Sequence, residues 1–253
     1  AVYKSTDNGT TWNKLSNGLP TGDVGRIGLA ISPVNTDIVY AIVEGRDNKG
    51  FYKSSDRGAS WTKQSSYSTD GNYYQEIVAD PLNADKVYSM ATWAQVSKDG
   101  GKSFSGLGEK SKHVDNHAMW IDPTVPNHYL IGCDGGLYES FDGAETWDFK
   151  SNLPITQFYR VCVDNVKPFY NVYGGTQDNN TLGGPGRTMS ASGITNSDWF
   201  VTVGGDGFQS RVDPKEPNII YSEWQYGGLV RFDRKTGEQV DIKPIEKEGE
   251  SAY

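Results

Sequence analysis

Cysteine is scarce in this 253-residue chain, which contains only Cys133 and Cys162. Two cysteines are too few for a disulfide framework, and CxxC spacing is absent. Both lie in apolar, strand-like runs, "LIGC" and "RVCV". That setting favours buried free thiols over a disulfide and leaves the redox compartment open. Clustered positive charge is missing too. No Lys/Arg run exceeds two residues and the net charge is −8. The phosphates of a nucleic acid, or an anionic membrane surface, would meet no basic face. The acidity itself reads as solubility. No apolar run approaches the roughly 18 residues of a membrane span. No leader is visible either. The chain opens on Ala1-Val2-Tyr3-Lys4, already strand-like, so any leader is removed or lies upstream. There is no phosphate-cradling glycine motif, nucleophile elbow or nucleotide fingerprint.

What the chain does have is glycine, 30 residues, and aromatic side chains, 15 Tyr, 9 Phe and 7 Trp. Many short strands joined by tight turns have this profile. One phrase is written four times: "STDNGTTW" from Ser5, "SSDRGASW" from Ser54, "SKDGGKSF" from Ser97 and "SFDGAETW" from Ser140. Its central aspartates, Asp7, Asp56, Asp99 and Asp142, are spaced by 49, 43 and 43 residues. A second marker recurs in another phase: an apolar strand, Ser/Asp-Pro, a polar turn and another apolar strand. Its prolines are Pro33, Pro81, Pro123, Pro168 (in a weaker copy) and Pro214.

Each repeat therefore reads as four short strands, in the second complete unit 74–80, 85–91, 94–98 and 103–107. Four strands with a period in the forties are the signature of β-propeller blades. A single such sheet cannot cover both its faces, and neighbouring sheets cover each other. The expected fold is an all-β propeller of about five complete blades, near 24–66, 74–108, 117–152, 158–203 and 207–244, plus a partial one. Residues 1–15 supply only a third and fourth strand, and after Pro244 nine residues remain. The expectation is one propeller domain over 1–253, incomplete at both ends, with the missing sequence closing seven or more blades. The polar run "EKEGESAY" suits a clipped or disordered loop.

The repeated phrase falls between strands three and four. Its glycine allows positive φ, its aspartate can accept backbone N–H groups and hold the turn, and its serine can satisfy another turn group. Trp12, Trp61, Phe104 and Trp147 then open strand four with a large apolar surface to pack between sheets. The phrase is read as structural in all four copies.

The pattern S-x-D-x-G-x-[ST]-[WF] resembles the Asp-box of sialidases, sortilin-type receptors and xyloglucanase-like glycoside hydrolases. Three copies fit it. The fourth departs, with Ala144 where glycine is expected and Gly143 one place early, so the turn geometry there is open. The stretches "GRIGLAISP", "HVDNHAMWIDP", "GTQDNNTLGGP", "VGGDGF" and "YGGLVRFDRKTGE" are similar to those of secreted bacterial propellers called sortilin-like or glycosyl hydrolase BNR-repeat proteins. The resemblance covers nearly the whole chain. It implies a secreted, periplasmic or cell-surface location and further domains of the same polypeptide.

If these turns mark one rim, function belongs to the opposite one, built by strand-four-to-one and strand-two-to-three loops. Those loops carry Tyr73, Tyr74, Gln75, Trp93, His117, Gln157, Tyr159, Gln177, Asn179, Trp224 and Gln225. Aromatic faces beside amides and carboxylates suit a glycan, whose C–H face stacks on a ring, and suit a peptide equally. The sharpest constellation is Asp115-Asn116-His117, Asp134, Gln177-Asp178-Asn179 and Asp206. A glycosidase needs two carboxyl groups roughly 5–10 Å apart, and Asp134, Asp178 and Asp206 are the candidates. The competing and commoner role is to hold Gly-flanked turns, as "DGG", "QDNN" and "GDGF". A sialidase would need an arginine cluster, and Arg26, Arg160 and Arg187 form no visible triad.

His113 and His117 stand four apart, a helical ligand spacing in a loop-to-strand context, so no metal site is assigned. No cofactor is expected. Loop carboxylates could hold calcium, but no EF-hand-like spacing supports it. The segment 181–197, the longest without a strand pattern, is the candidate specificity loop beside Asp178. Three functions are carried forward: a glycan- or peptide-binding module, a glycoside hydrolase, and a scaffold domain of a larger secreted or surface assembly.

Overall fold

The computed structural model describes residues 1–153 and 155–244. The C-terminal run "EKEGESAY" lies outside the described residues. The chain divides into two compact units, Ala1–Asn152 and Leu153–Tyr253.

The first unit opens with a two-stranded sheet, β1 (Val2–Lys4) and β2 (Asn13–Leu15). Three four-stranded antiparallel meanders follow. They are β3 (Val24–Ile31), β4 (Val39–Gly45), β5 (Gly50–Ser54), β6 (Thr62–Ser65); β7 (Ile77–Ala79), β8 (Val87–Ser89), β9 (Gln95–Ser97), β10 (Ser105–Gly106); and β11 (Asn116–Ile121), β12 (Tyr129–Cys133), β13 (Gly136–Ser140), β14 (Asp148–Phe149). The second unit holds two more: β15 (Arg160–Val163), β16 (Asn171–Gly175), β17 (Thr181–Pro185), β18 (Phe200–Val203); and β19 (Gly207–Val212), β20 (Ile219–Trp224), β21 (Gly228–Asp233), β22 (Glu238–Asp241). In each meander, strands adjacent in sequence are adjacent in the sheet. This is the blade plan, and the chain is an all-β partial propeller.

The repeated turn joins strands three and four each time, and its hydrogen bonds repeat atom for atom. Ser Oγ accepts the amide four residues on: Gly9 and Gly58 at 2.8 Å, Gly101 at 2.8 Å, Ala144 at 2.9 Å. Asp Oδ1 accepts the amide of Thr11, Ser60, Ser103 or Thr146 at 2.8–3.0 Å, and Oδ2 takes the same residue's hydroxyl at 2.5–2.6 Å. Two successive residues take positive φ in every copy: Asn8-Gly9, Arg57-Gly58, Gly100-Gly101 and Gly143-Ala144. The fourth turn is therefore intact. Ala144 adopts φ 77 despite its Cβ, and its methyl is buried against the core.

Those bonds hold the four carboxyl groups at about 2, the hydroxyl contact being the largest cause, followed by the backbone amide. A folded value below the unfolded value of about 3.9 stabilises the fold above pH ~4. That contribution is lost as pH falls from ~4 toward ~2. A carboxyl-carbon NMR titration is expected to give four midpoints near 2, and midpoints near 4 would refute the hydrogen-bond account.

The aromatic that follows the turn packs on the preceding sheet. Trp61 sits with Val2, Leu15 and Leu19. Phe104 stacks on Tyr67 at 3.9 Å and meets Phe51 edge-on at 5.0 Å. Trp147 joins Tyr88 and Met90 and donates its indole N–H to the Gly108 carbonyl at 3.0 Å. Trp12, which follows the turn of β1–β2, the first sheet among the described residues, departs from this expectation and is exposed.

The Asp-Pro marker is also a structural turn, between strands one and two. Asp80 Oδ1 accepts the amides of Leu82 and Asn83 while Oδ2 accepts the Tyr88 hydroxyl. Asp164 does the same for Val166, Asn171 and Tyr173.

The segment 181–197 corrects the sequence reading. It begins with β17, and its irregular part lies in the β17–β18 connection, the strand-three-to-four position of the repeated turns. It is not a loop on Asp178's end of the blade. Its glycines suggest a turn, but Gly183 and Gly184 are in a strand beneath rings. A Cβ on Gly183 would come within 2.7 Å of Tyr173 and Phe200, and one on Gly184 within 2.5 Å of Trp199.

Candidate functional site

At the end of the first unit's blades opposite the repeated turns, four side chains connect. The loop between β6 and β7 carries Tyr74, whose hydroxyl donates to Asp115 Oδ1 at 2.6 Å and accepts from Thr92 Oγ1 at 3.2 Å. Its ring stacks on His117 with centroids 5.4 Å apart. His117 Nε2 lies 2.8 Å from Asp134 Oδ1. The Asp134 amide donates to the Asp115 carbonyl at 3.2 Å. Carboxylate oxygens of Asp115 and Asp134 come within 4.8 Å of each other. Burial, then the Asp115 hydrogen bond, pushes the Tyr74 hydroxyl up to about 12, so it remains a donor at neutral pH. Tyr73, from the same loop, and Trp93, from the β8–β9 turn, expose their rings to solvent.

The loop that presents Asp115 is held from inside. Lys112 Nζ, fully buried, pairs with Glu109 Oε2 at 2.5 Å and donates to Asn116 Oδ1 at 2.5 Å and the His113 carbonyl at 2.7 Å. Its charge lies over the Tyr138 and Trp147 rings at 5.9 and 5.6 Å. Asn116 Nδ2 reaches Glu109 Oε1 and the Ala91 and Thr92 carbonyls. Asn116 thus serves the loop from the interior. Glu109 and Lys112 were not legible as positioning residues, since "GEKSKH" reads as a solvated run. The nearest signal was the buried aromatics of remote strands.

In the second unit the same end gathers Tyr159, Gln177, Asn179, Phe208 and Gln225. The Tyr159 ring stacks parallel to Phe208 at 5.3 Å, and its hydroxyl donates to Gln177 Oε1 at 2.8 Å. Asn179 Nδ2 donates to the Gln177 carbonyl at 2.8 Å. Asp206 Oδ1 accepts the Asp178 amide at 2.7 Å, and the Asp206 amide donates to Gln225 Oε1 at 2.6 Å. Asp206 and Gln225 thus spend polar atoms on the backbone of neighbouring turns, those of Asp178 and of Asp206, rather than on their own. Phe208 was not singled out from sequence. Gln157 is exposed, and Trp224 is half-buried over Gly228.

Gln75 does not offer its amide to the rim. It is buried, with Oε1 accepting from Thr69 Oγ1 at 2.7 Å and Nε2 donating to the Arg26 carbonyl at 3.3 Å. The two histidines of "HVDNH" do not share a partner. His113 Nδ1 meets the Val114 carbonyl at 2.9 Å, whereas His117 meets Asp134. Cys133 and Cys162 are free thiols and half-buried rather than fully buried. Among the described residues no helix is long and apolar enough to cross a membrane, a statement that concerns helices alone.

No protein-family model matches the sequence, and no curated protein matches it. Solved structures of similar fold are β-propellers. A GH74 enzyme from Niastella koreensis is 16% identical over 86% of this chain and 38% of its own, with a TM-score of 0.45. The GH74 xyloglucanase from Xanthomonas campestris is 14% identical over 95% of this chain and 42% of its own, with a TM-score of 0.45. YCF48 bound to D1 peptide is 13% identical over 94% of this chain and 74% of its own, with a TM-score of 0.42. The chain spans about two fifths of the length of the two GH74 enzymes. Likeness at this level carries no argument about activity.

Proposed function

We propose that this chain is a recognition module of an exported, Asp-box-type propeller that captures a glycan or peptide on the blade ends opposite the repeated turns. Further domains of the same polypeptide belong to this reading. The observation that supports it is the pairing of solvent-facing rings, Tyr73 and Trp93, with the braced polar chain Asp115–Tyr74–His117–Asp134. Rigid aromatic faces supply contact area at little entropic cost, and fixed polar groups supply orientation.

A second reading, glycoside hydrolysis, is favoured by one distance. The Asp115 and Asp134 oxygens lie no more than 4.8 Å apart, inside the roughly 5 Å separation of a retaining pair. Asp134 carries over from the sequence candidates, and Asp115 replaces Asp206, which is bound to a backbone amide.

Glycan-array and peptide-library binding, run beside a reducing-end assay on polysaccharides, tests both. Tyr73→Ala and Trp93→Ala are each expected to weaken binding at least about tenfold, roughly 1.4 kcal/mol, without changing the melting temperature. Unchanged binding would remove the rim from the account. Reducing ends that vanish in Asp134→Asn would establish the hydrolase. No response in either assay would favour the scaffold role.

A further inference from the structure

The side-chain donors that meet or flank Asp115 on the rim of the first unit are already committed. The Tyr74 hydroxyl gives its proton to Asp115 Oδ1 at 2.6 Å. His117 Nε2 is turned to Asp134 at 2.8 Å. The neighbouring amides point elsewhere. Gln75 donates to the Arg26 carbonyl, Asn116 to the Ala91 and Thr92 carbonyls, and Gln95 to the Trp93 carbonyl. Asp115 itself keeps acceptor capacity. It is half-buried, and among the described residues no donor meets its Oδ2.

Two large rings stand at the same place. Tyr73 adjoins Tyr74, with centroids 6.2 Å apart, and is 66% exposed. Trp93 follows Thr92 and is 58% exposed. The Thr92 hydroxyl donates to the Tyr74 oxygen at 3.2 Å, and the Thr92 carbonyl accepts the Asp115 amide at 2.9 Å. Each exposed ring is therefore one residue from a direct partner of Asp115. The formal charge of the site has a matching sign. Lys112 and Glu109 neutralise each other. Histidines apart, the four loops that build the site, 66–76, 90–94, 107–115 and 134–135, then retain Asp70, Glu76, Asp115 and Asp134 against a single lysine, Lys110.

Sugar hydroxyls are best met by donors as well as acceptors. A guanidinium or ammonium group is donor-only and needs acceptors alone. It also gains attraction from an aromatic face beside it. We propose that this rim recognises a cationic side chain of a peptide, arginine foremost, with Asp115 as its anionic partner and Tyr73 and Trp93 as the ring faces beside it. The planar guanidinium suits both contacts, because it donates to a carboxylate in its plane and stacks on a ring through its face. The net negative charge of the loops draws such a peptide in and disfavours an acidic one. This inference rests on the recognition reading above and narrows its ligand from a glycan or peptide to a basic peptide.

The probe is the peptide acetyl-Gly-Gly-Arg-Gly-Gly-amide. Its control carries citrulline in place of arginine, a residue of the same shape without the charge. Binding to the full chain is followed by NMR on the Trp93 indole N–H, assigned with Trp93→Phe. The arginine peptide is expected to bind at least about tenfold more tightly than the citrulline peptide at low salt. The difference is expected to shrink in about 0.5 M NaCl. Asp115→Asn is expected to bring the two peptides within about twofold of each other. Asparagine still accepts the Tyr74 hydroxyl and tolerates the positive φ of 62 at this position, so the loop is kept. Equal affinity of the unaltered chain for both peptides, or an arginine preference that survives Asp115→Asn, would overturn the inference. Cellotetraose that moves the Trp93 signal where the arginine peptide does not would also overturn it, and would leave the recognition reading standing. No response of Trp93 to the peptides or to cellotetraose would refute both.

Discussion

Lys112→Ala is expected to cost about 3–5 kcal/mol of stability, read as a fall in the urea midpoint with little change in slope. The ammonium is buried with three oxygen partners and two aromatic faces. Removing it strands the Glu109 carboxylate, itself nearly buried, without its counter-charge. The loss is therefore that of an uncompensated charge rather than of one contact. The double variant Lys112→Met with Glu109→Leu is expected to recover most of it, since a buried pair replaced by apolar groups of similar volume is often neutral. If the double variant is no more stable than the single, the penalty lies in packing and the charge argument fails. The pair also anchors the segment leading to Asp115 and His117. Faster amide exchange over residues 109–116 in Lys112→Ala should accompany the stability loss, with weakened rim binding as its functional readout.

Gly101→Ala is expected to cost about 3 kcal/mol, and Gly9→Ala, at the equivalent place in the first turn, only about 1. Both glycines hold positive φ, 92 and 85, so both variants carry the left-handed penalty. Only Gly101 adds a collision. A Cβ there would stand 2.2 Å from Cδ1 of Phe51, a ring with no exposure that is fixed between Tyr40 and Phe104. At Gly9 the nearest atom is 3.8 Å away, on exposed Trp12. Ala144 already occupies the corresponding position of the fourth turn, so the turn itself accepts a methyl group. Paired thermal melts check the difference. Equal losses would place the whole cost in the backbone and none in the ring.

The sequence by itself determined the blade plan. The four turns and the five proline markers act through bonds between residues two to nine positions apart, such as Asp56 to Ser60 and Asp164 to Tyr173. Interactions that local recur wherever the phrase recurs, so spacing alone located strands three and four of the first four sheets. The burial of the turn aromatics was not legible from the phrase itself, since Trp61 is covered and Trp12 is not. Tertiary structure decided the rest. Gln75 and Lys112 look like surface residues in sequence, but partners far along the chain, Arg26 and Trp147, draw them inward. The glycines at 183 and 184 read as a loop until the rings of Tyr173 and Trp199 show what fills their space. Asp115 comes close to Asp134, while the Asp206 carboxylate is taken up by the Asp178 amide of another turn, because a carboxylate beside a glycine turn is equally able to hold a backbone amide or to face solvent. That choice is made by distances across strands, which no residue order records.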